Sequence, residues 1–253
     1  THEIRLLSLD ENGAVKVTNP YASAGTVITS RLPYSGDIDG DNKEETINTS
    51  TDAQGLVVLN VEASGKTAEV STGIKEIGSI RLFDLDGDGA KEIYLDGKDA
   101  DGQAITCAAF YSAAETQPLH LALFDSQSYA LGTIKDFSDG KLVVDNEMNI
   151  LGTYKVKNVY TLADKSFSKA SGDIVFDNNT TYVTTTKSIT LSNGSLLATG
   201  TKLRFTSTDG SSVINFVTDG GFTGSIPIAS SGSGWTISGQ PDTSYFTSLP
   251  YKN

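Results

Sequence analysis

The sequence predicts an all-β protein, and three observations carry that reading. Short segments alternate apolar and polar residues with a period of two, which lays one face of a strand on a core. Turns centred on Gly and Asn separate them and supply the positive φ that hairpins need. The 3.6-residue period of a long amphipathic helix is absent from the pattern.

The strands follow in order. "EIRLLSL" (3–9), "GLVVLNV" (55–61), "LHLALF" (119–124) and "TYKVKNVYTL" (153–162) come first; "KSITL" (187–191), "TKLRFTS" (201–207) and "SVINFVT" (212–218) come later. All are rich in β-branched or aromatic residues. The turns read "DENG" (10–13), "ASG" (63–65), "DADG" (99–102), "SDG" (138–140), "SNG" (192–194), "TDG" (208–210) and "TDGG" (218–221). Helical turns are expected at most near 20–25, 111–116 and 243–249.

A repeat lies beneath the alternation. Hairpins at 3–17, 55–70, 108–124 and 154–170 follow one another at a period of about 50 residues, within the range of propeller blades. The acidic stretches "GDIDGDNKEETI" (36–47) and "FDLDGDGAKEIYL" (83–95) keep the same phase, with 47 residues from Asp37 to Asp84. A third stretch in phase, "KDFSDGKLVV" (135–144), lacks the alternating acids.

The acidic stretches read as cation loops. Calcium takes about six to eight hard oxygen ligands, and a curled segment with every second side chain inward supplies most of them. The first loop offers the carboxylates of Asp37, Asp39, Asp41 and Glu45 with the carbonyl of Lys43. The second offers Asp84, Asp86, Asp88 and Glu92 with the carbonyl of Ala90. Two calcium ions are therefore expected. Gly40 and Gly87 stand where the curl is tightest, and Asn42 and Gly89 tolerate the left-handed conformation. A helix–loop–helix hand is excluded, because the twelfth residues are Asn48 and Leu95 rather than a bidentate Glu. The alternative is a pair of solvated turns without an ion.

These two loops resemble the calcium loops of FG-GAP repeats, also called VCBS-type repeats, found in integrin-like β-propellers. The resemblance spans residues 1–175. It implies loops that each bridge two strands of one blade, with calcium stapling the blade edge. Units of about 50 residues would give a small or incomplete propeller, not the seven blades of an integrin head.

The repeat phase runs out near residue 172, so 172–183 is expected to be a linker and 180–253 a second domain. Its segment "LATGTKLRFTSTDGSSVINFVTDGGFTGSIPI" (197–228) resembles bacterial Src-homology-3-type domains, which implies a small β-barrel. Gly200, Leu203, Phe205, Val213, Phe216, Asp219, Gly220, Gly224 and Ile226 fit that pattern, while Ser225 stands where the family has Trp. Alternation is expected to turn Leu203, Phe205, Val213, Phe216 and Ile226 inward. Trp235, Tyr245, Phe246 and Tyr251 are expected to fold the tail onto this domain, with a carbohydrate platform as the alternative role for Trp235.

Composition limits the function. A net charge of −12 argues against nucleic acid or an anionic membrane as partner. No apolar run approaches the ~20 residues of a membrane span. The start at Thr1 is what a trimmed or mature form would show. Cys107 stands alone in an apolar run and reads as a buried small side chain. "ASGKT" (63–67) lacks the leading Gly of a phosphate loop, with Asn60 in its place. His2 and His120 are the only histidines, and neither G-x-S-x-G nor H-E-x-x-H occurs. The chain therefore reads as an exported, non-enzymatic calcium-binding adhesion, binding or scaffold module at a bacterial cell surface. Its Thr/Ser/Gly-rich strands point to a Gram-positive source, and its partner would be a surface glycan or protein. The alternatives are a carbohydrate-active or cell-wall-remodelling enzyme, with a carboxylate pair outside both loops, and a piece of a larger assembly.

Overall fold

Strand covers 55% of the chain and helix 3%, so the all-β expectation holds. The computed structural model describes residues 25–252 except 171, 173, 178 and 233, together with the backbone of 6–9 and 15–18. His2, the turn at 10–13 and most of the turn expected at 20–25 lie outside the described residues. Near 243–249 a short 3-10 turn forms at Asp242–Ser244, whereas 111–116 contains no helix.

Between residues 34 and 169, three sheets follow one another, and in each the strands lie in sequence order. The first holds Tyr34–Gly36, Glu45–Thr51, Val57–Ala63 and Lys66–Ser71. The second holds Glu76–Phe83, Glu92–Lys98, Ala104–Tyr111 and Leu119–Leu121, with the short strands Thr26–Val27 and Ala130–Leu131 added. The third holds Thr133–Ser138, Lys141–Asn149, Thr153–Ala163 and Ser166–Lys169, and Leu123–Phe124 lies parallel to its last strand. The expected hairpins are the last two strands of each sheet, in the registers Leu59↔Val70, Phe110↔His120 and Leu162↔Phe167. The earliest hairpin is a two-stranded sheet in which Leu7 faces Val17. Ser64 and Gly65, at φ 50° and 75°, make the tight turn that "ASGKT" supplies.

The acidic loops join the first two strands of the first and second sheets, in the registers Gly36↔Glu45 and Phe83↔Glu92. In the third sheet the equivalent connection is the turn Asp139–Gly140, with φ of 53° and 67°. A two-residue turn leaves no room for a cation cage, which accounts for the missing acids.

The second sheet is covered on both faces, so its strands lose the apolar–polar alternation and read as continuous apolar runs. Ile93, Leu95, Cys107 and Ala109 face Ile47, Leu59 and Val61 of the first sheet. Tyr94, Ala108 and Phe110 face the other way, into a cluster with Phe137, Leu142 and Phe167 of the third. The Tyr94 and Phe137 rings meet edge-on with centroids 4.6 Å apart.

The chain divides into two compact units, residues 1–144 with 159–170, and residues 145–158 with 171–253. The expected division at 175–180 therefore needs correction: residues 145–158 belong to the second unit. Ile150, Leu151, Tyr154 and Val156 lie in that unit's core beside Phe176, Phe205 and Phe246. Tyr154 stacks on Phe176 with centroids 4.5 Å apart. The expected linker is likewise built into this unit. Ile174–Val175 and Val183–Thr184 pair along Lys202–Thr208, and Phe176 and Val183 are buried.

In the second unit, Lys202–Thr208 and Val213–Thr218 form the centre of a sheet with Thr223–Pro227 at its edge, but no sheet among the described residues closes into a barrel. Leu203, Phe205, Phe216 and Ile226 are buried as expected. Val213 is only half-buried, and Ile214 is buried in its place. Strand parity is the reason: a residue an odd number of steps from Phe216 faces away from the core.

Candidate metal centre

Residues 37–45 and 84–92 share one conformation, hydrogen bond for hydrogen bond. Asp37 Oδ1 accepts from the Gly40 amide at 2.8 Å and Oδ2 from the Asn42 amide at 3.2 Å. Asp84 accepts from Gly87 at 2.7 Å and from Gly89 at 3.1 Å. Asp39 and Asp86 take the amides of Asp41 and Asp88, each at 3.3 Å. Asp41 and Asp88 take those of Lys43 and Ala90, each at 2.8 Å. The closing Glu reaches back across each loop, so Glu45 accepts from Ile38 N at 2.8 Å and Glu92 from Leu85 N at 2.9 Å. Alternate acids thus satisfy loop amides that no ladder can reach.

The backbone follows the same rule. Gly40 and Gly87 both sit at φ 78°, and Asn42 and Gly89 at 65° and 96°. Each loop is also pinned by its second residue. Ile38 is buried in the core shared by the first and second sheets, and Leu85 in that shared by the second and third.

The carboxylates converge, with one difference between the loops. In the second, oxygens of Asp84, Asp86 and Asp88 lie within 4.8 Å of one another; in the first, those of Asp37, Asp39 and Glu45 do. Asp41 is outside the first cluster, and its Oδ2 accepts from Lys43 Nζ at 2.6 Å. Lys43, expected for its carbonyl, thus brings an ammonium that competes for one of the acids. Ala90 at the same place in the second loop brings none. Glu92, unlike Glu45, is not among the three converging carboxylates, and it accepts from the Tyr94 hydroxyl at 3.0 Å.

Burial and like charge act together on the closing acids. Glu45 is pushed above the ordinary carboxylate range by desolvation, with Asp39, Asp41 and Asp37 adding repulsion against the Ile38 hydrogen bond. Glu92, 2% exposed, is pushed up to about 7 by burial, with Asp86 and Asp84 contributing and the Leu85 and Tyr94 hydrogen bonds opposing. Burial, then Glu92, drives the Tyr94 phenol far above its usual value. A nearby cation would reverse this pressure on both acids.

The donor set suits a hard cation. Every side chain in the two clusters is a carboxylate, with no thiol or imidazole that would favour zinc or copper. Four neighbours escaped the sequence reading: the Lys43 ammonium, the Tyr94 hydroxyl, the Lys91 side chain on Asp37 O, and the Ala113 amide on Asp39 Oδ2 at 2.9 Å. Of these only Tyr94 left a signal, since i and i+2 on a strand share a face.

The groups considered for catalysis sit elsewhere. Cys107 is fully buried, its thiol pushed up to about 12 by burial and donating to Thr72 O at 3.0 Å. His120 stacks on Phe110, and its Nδ1 lies 3.9 Å from Glu115 Oε2. Among the described residues, no helix is long and apolar enough to cross a membrane. No family model, curated protein or solved structure matches this chain.

Proposed function

We propose that the chain is a calcium-binding module built from propeller-type repeats, exported to a bacterial surface and acting by binding or scaffolding rather than catalysis. The observation that carries this reading is the one-to-one hydrogen-bond pattern of the two acidic loops. The pattern draws three carboxylates of each loop within 4.8 Å of one another, and a bound cation would offset that like-charge repulsion. Asp37, Asp39 and Glu45, with Asp41 and the Lys43 carbonyl, would hold one ion. Asp84, Asp86 and Asp88, with Glu92 and the Ala90 carbonyl, would hold the other. Calcium suits flexible all-oxygen loops better than magnesium, which demands a near-ideal octahedron. Bound, it would neutralise acids that otherwise repel.

Three successive sheets whose faces pack in turn support the propeller reading, since blades stack in that way. The buried thiol and the ring-stacked histidine weigh against catalysis. Calorimetry on protein stripped with a chelator is the test. Calcium should bind at two sites, Asp86→Ala should abolish only the site in 84–92, and Asp39→Ala only the site in 37–45. Absence of binding at millimolar calcium would overturn the proposal.

A further inference from the structure

The second unit carries a cleft of about 560 Å³ that the calcium reading does not use. Trp235, Tyr251 and Pro241 give it apolar surface, and Asn149, Asp242 and Thr243 add polar groups. Its size falls in the ~300–1,000 Å³ range of small-ligand sites, which combine apolar walls with a few placed polar groups.

The cleft is preorganised. Trp235, the only Trp of the chain, lies on the strand Gly234–Ile237 and packs one side against the core. Its indole N–H donates to Asn149 O at 2.9 Å, which fixes the ring plane. Also on the lining, the Tyr251 hydroxyl donates to Asp242 Oδ2, and Asp242 Oδ1 accepts the Thr243 amide at 2.7 Å. Asp242 is 6% exposed, so its charge is consumed inside the wall rather than offered to a ligand.

Among the described residues the lining contains no Lys, Arg, His or Glu, and its one carboxylate is already hydrogen-bonded. An anionic or cationic ligand would find no counter-charge. Along the bordering strand Gln240–Pro241 a peptide strand would find a poor edge, because Pro241 has no N–H to donate. What remains is an aromatic platform with the hydroxyls of Ser230 and Thr243 on the same lining, since those of Ser231 and Thr236 already donate to Gly234 O and Ala229 O, each at 3.2 Å. A pyranose presents the matching surface: an apolar C–H face for the indole and a hydroxyl rim for the polar groups.

We propose that this cleft binds an uncharged saccharide, with Trp235 as the stacking platform; the proposal does not rest on calcium binding. Calorimetry with cellohexaose, chitohexaose, maltohexaose and xylohexaose tests it. At least one should bind with a millimolar or lower Kd, and Trp235→Ala should weaken that binding at least tenfold. Because Trp235 also touches the core, Ser230→Trp offers a second arm: an exposed position on the cleft wall, filled without disturbing the interior, should weaken binding comparably. Failure of all four saccharides to bind, binding that both variants leave intact, or preferential binding of decaproline would each overturn the proposal.

Discussion

The amide of Lys91 donates to the carbonyl of Ile38 at 2.7 Å, tying the end of one acidic loop to the start of the other. The Lys91 ammonium adds a second tie, to Asp37 O at 2.6 Å. A third contact is steric: a Cβ on Gly40 would lie 3.1 Å from the carbonyl oxygen of Gly89. The two candidate cation loops therefore touch, and each restricts the other's backbone.

That contact separates two glycines that are otherwise alike. Gly40 and Gly87 share φ 78°, where an L-residue costs roughly 1–2 kcal/mol. A Cβ at Gly87 meets nothing within 4 Å, whereas at Gly40 it presses on the neighbouring loop. Gly40→Ala is expected to cost about 1 kcal/mol more than Gly87→Ala, the surplus coming from overpacking. Urea unfolding of both variants measures the difference, and equal losses would show that the loops yield freely.

The Lys43 ammonium gives a second expectation. It occupies Asp41 Oδ2 in the first loop, and the second loop has no counterpart. Both partners are exposed to solvent, where such pairs contribute little to stability. In a chelator Lys43→Ala should leave Tm unchanged, whereas calcium affinity at 37–45 should rise by about threefold, since a competing cation is removed. Unchanged or weaker binding at that loop would mean that Asp41 is not a ligand.

The loops were legible in the sequence because their chemistry is local. Each Asp satisfies an amide two to five residues away, so the spacing alone encodes the curl. Hairpins were legible for the same reason, through turns such as Ser64–Gly65. Partition between units was not: the alternation of 153–162 reads identically on either side of residue 158, and only non-local partners such as Phe176 and Phe205 separate the halves. Barrel closure was equally illegible, because it depends on which edges meet.

Val213 and Ile214 test the parity argument directly. Ile214 is fully buried in the second unit's core, so Ile214→Ala should cost about 2–5 kcal/mol through lost burial and a residual cavity. Val213 is half-buried, and Val213→Ala should cost under about 1.5 kcal/mol. Chemical denaturation that ranked the two the other way would put Val213 in the core.

Glu92 gives the metal-free protein a pH dependence of unusual sign. Most paired carboxylates have lowered pKa values and stabilise a fold as pH rises. Burial instead raises Glu92 from 4.5 to about 7, so the folded state favours the neutral acid. Its contribution is intact below about pH 4.5 and is lost as pH climbs through 7, by about 3 kcal/mol at most. Glu92→Gln keeps an oxygen for the Leu85 amide and removes the titration. In a chelator the variant should match the parent at pH 4.5 and exceed its unfolding free energy above pH 7.5. With calcium the order should reverse, because the ionised carboxylate then serves as a ligand and the amide is a weaker one. Parallel profiles for parent and variant across pH 4.5–8 in chelator would show that the Glu92 carboxyl is hydrated despite its burial.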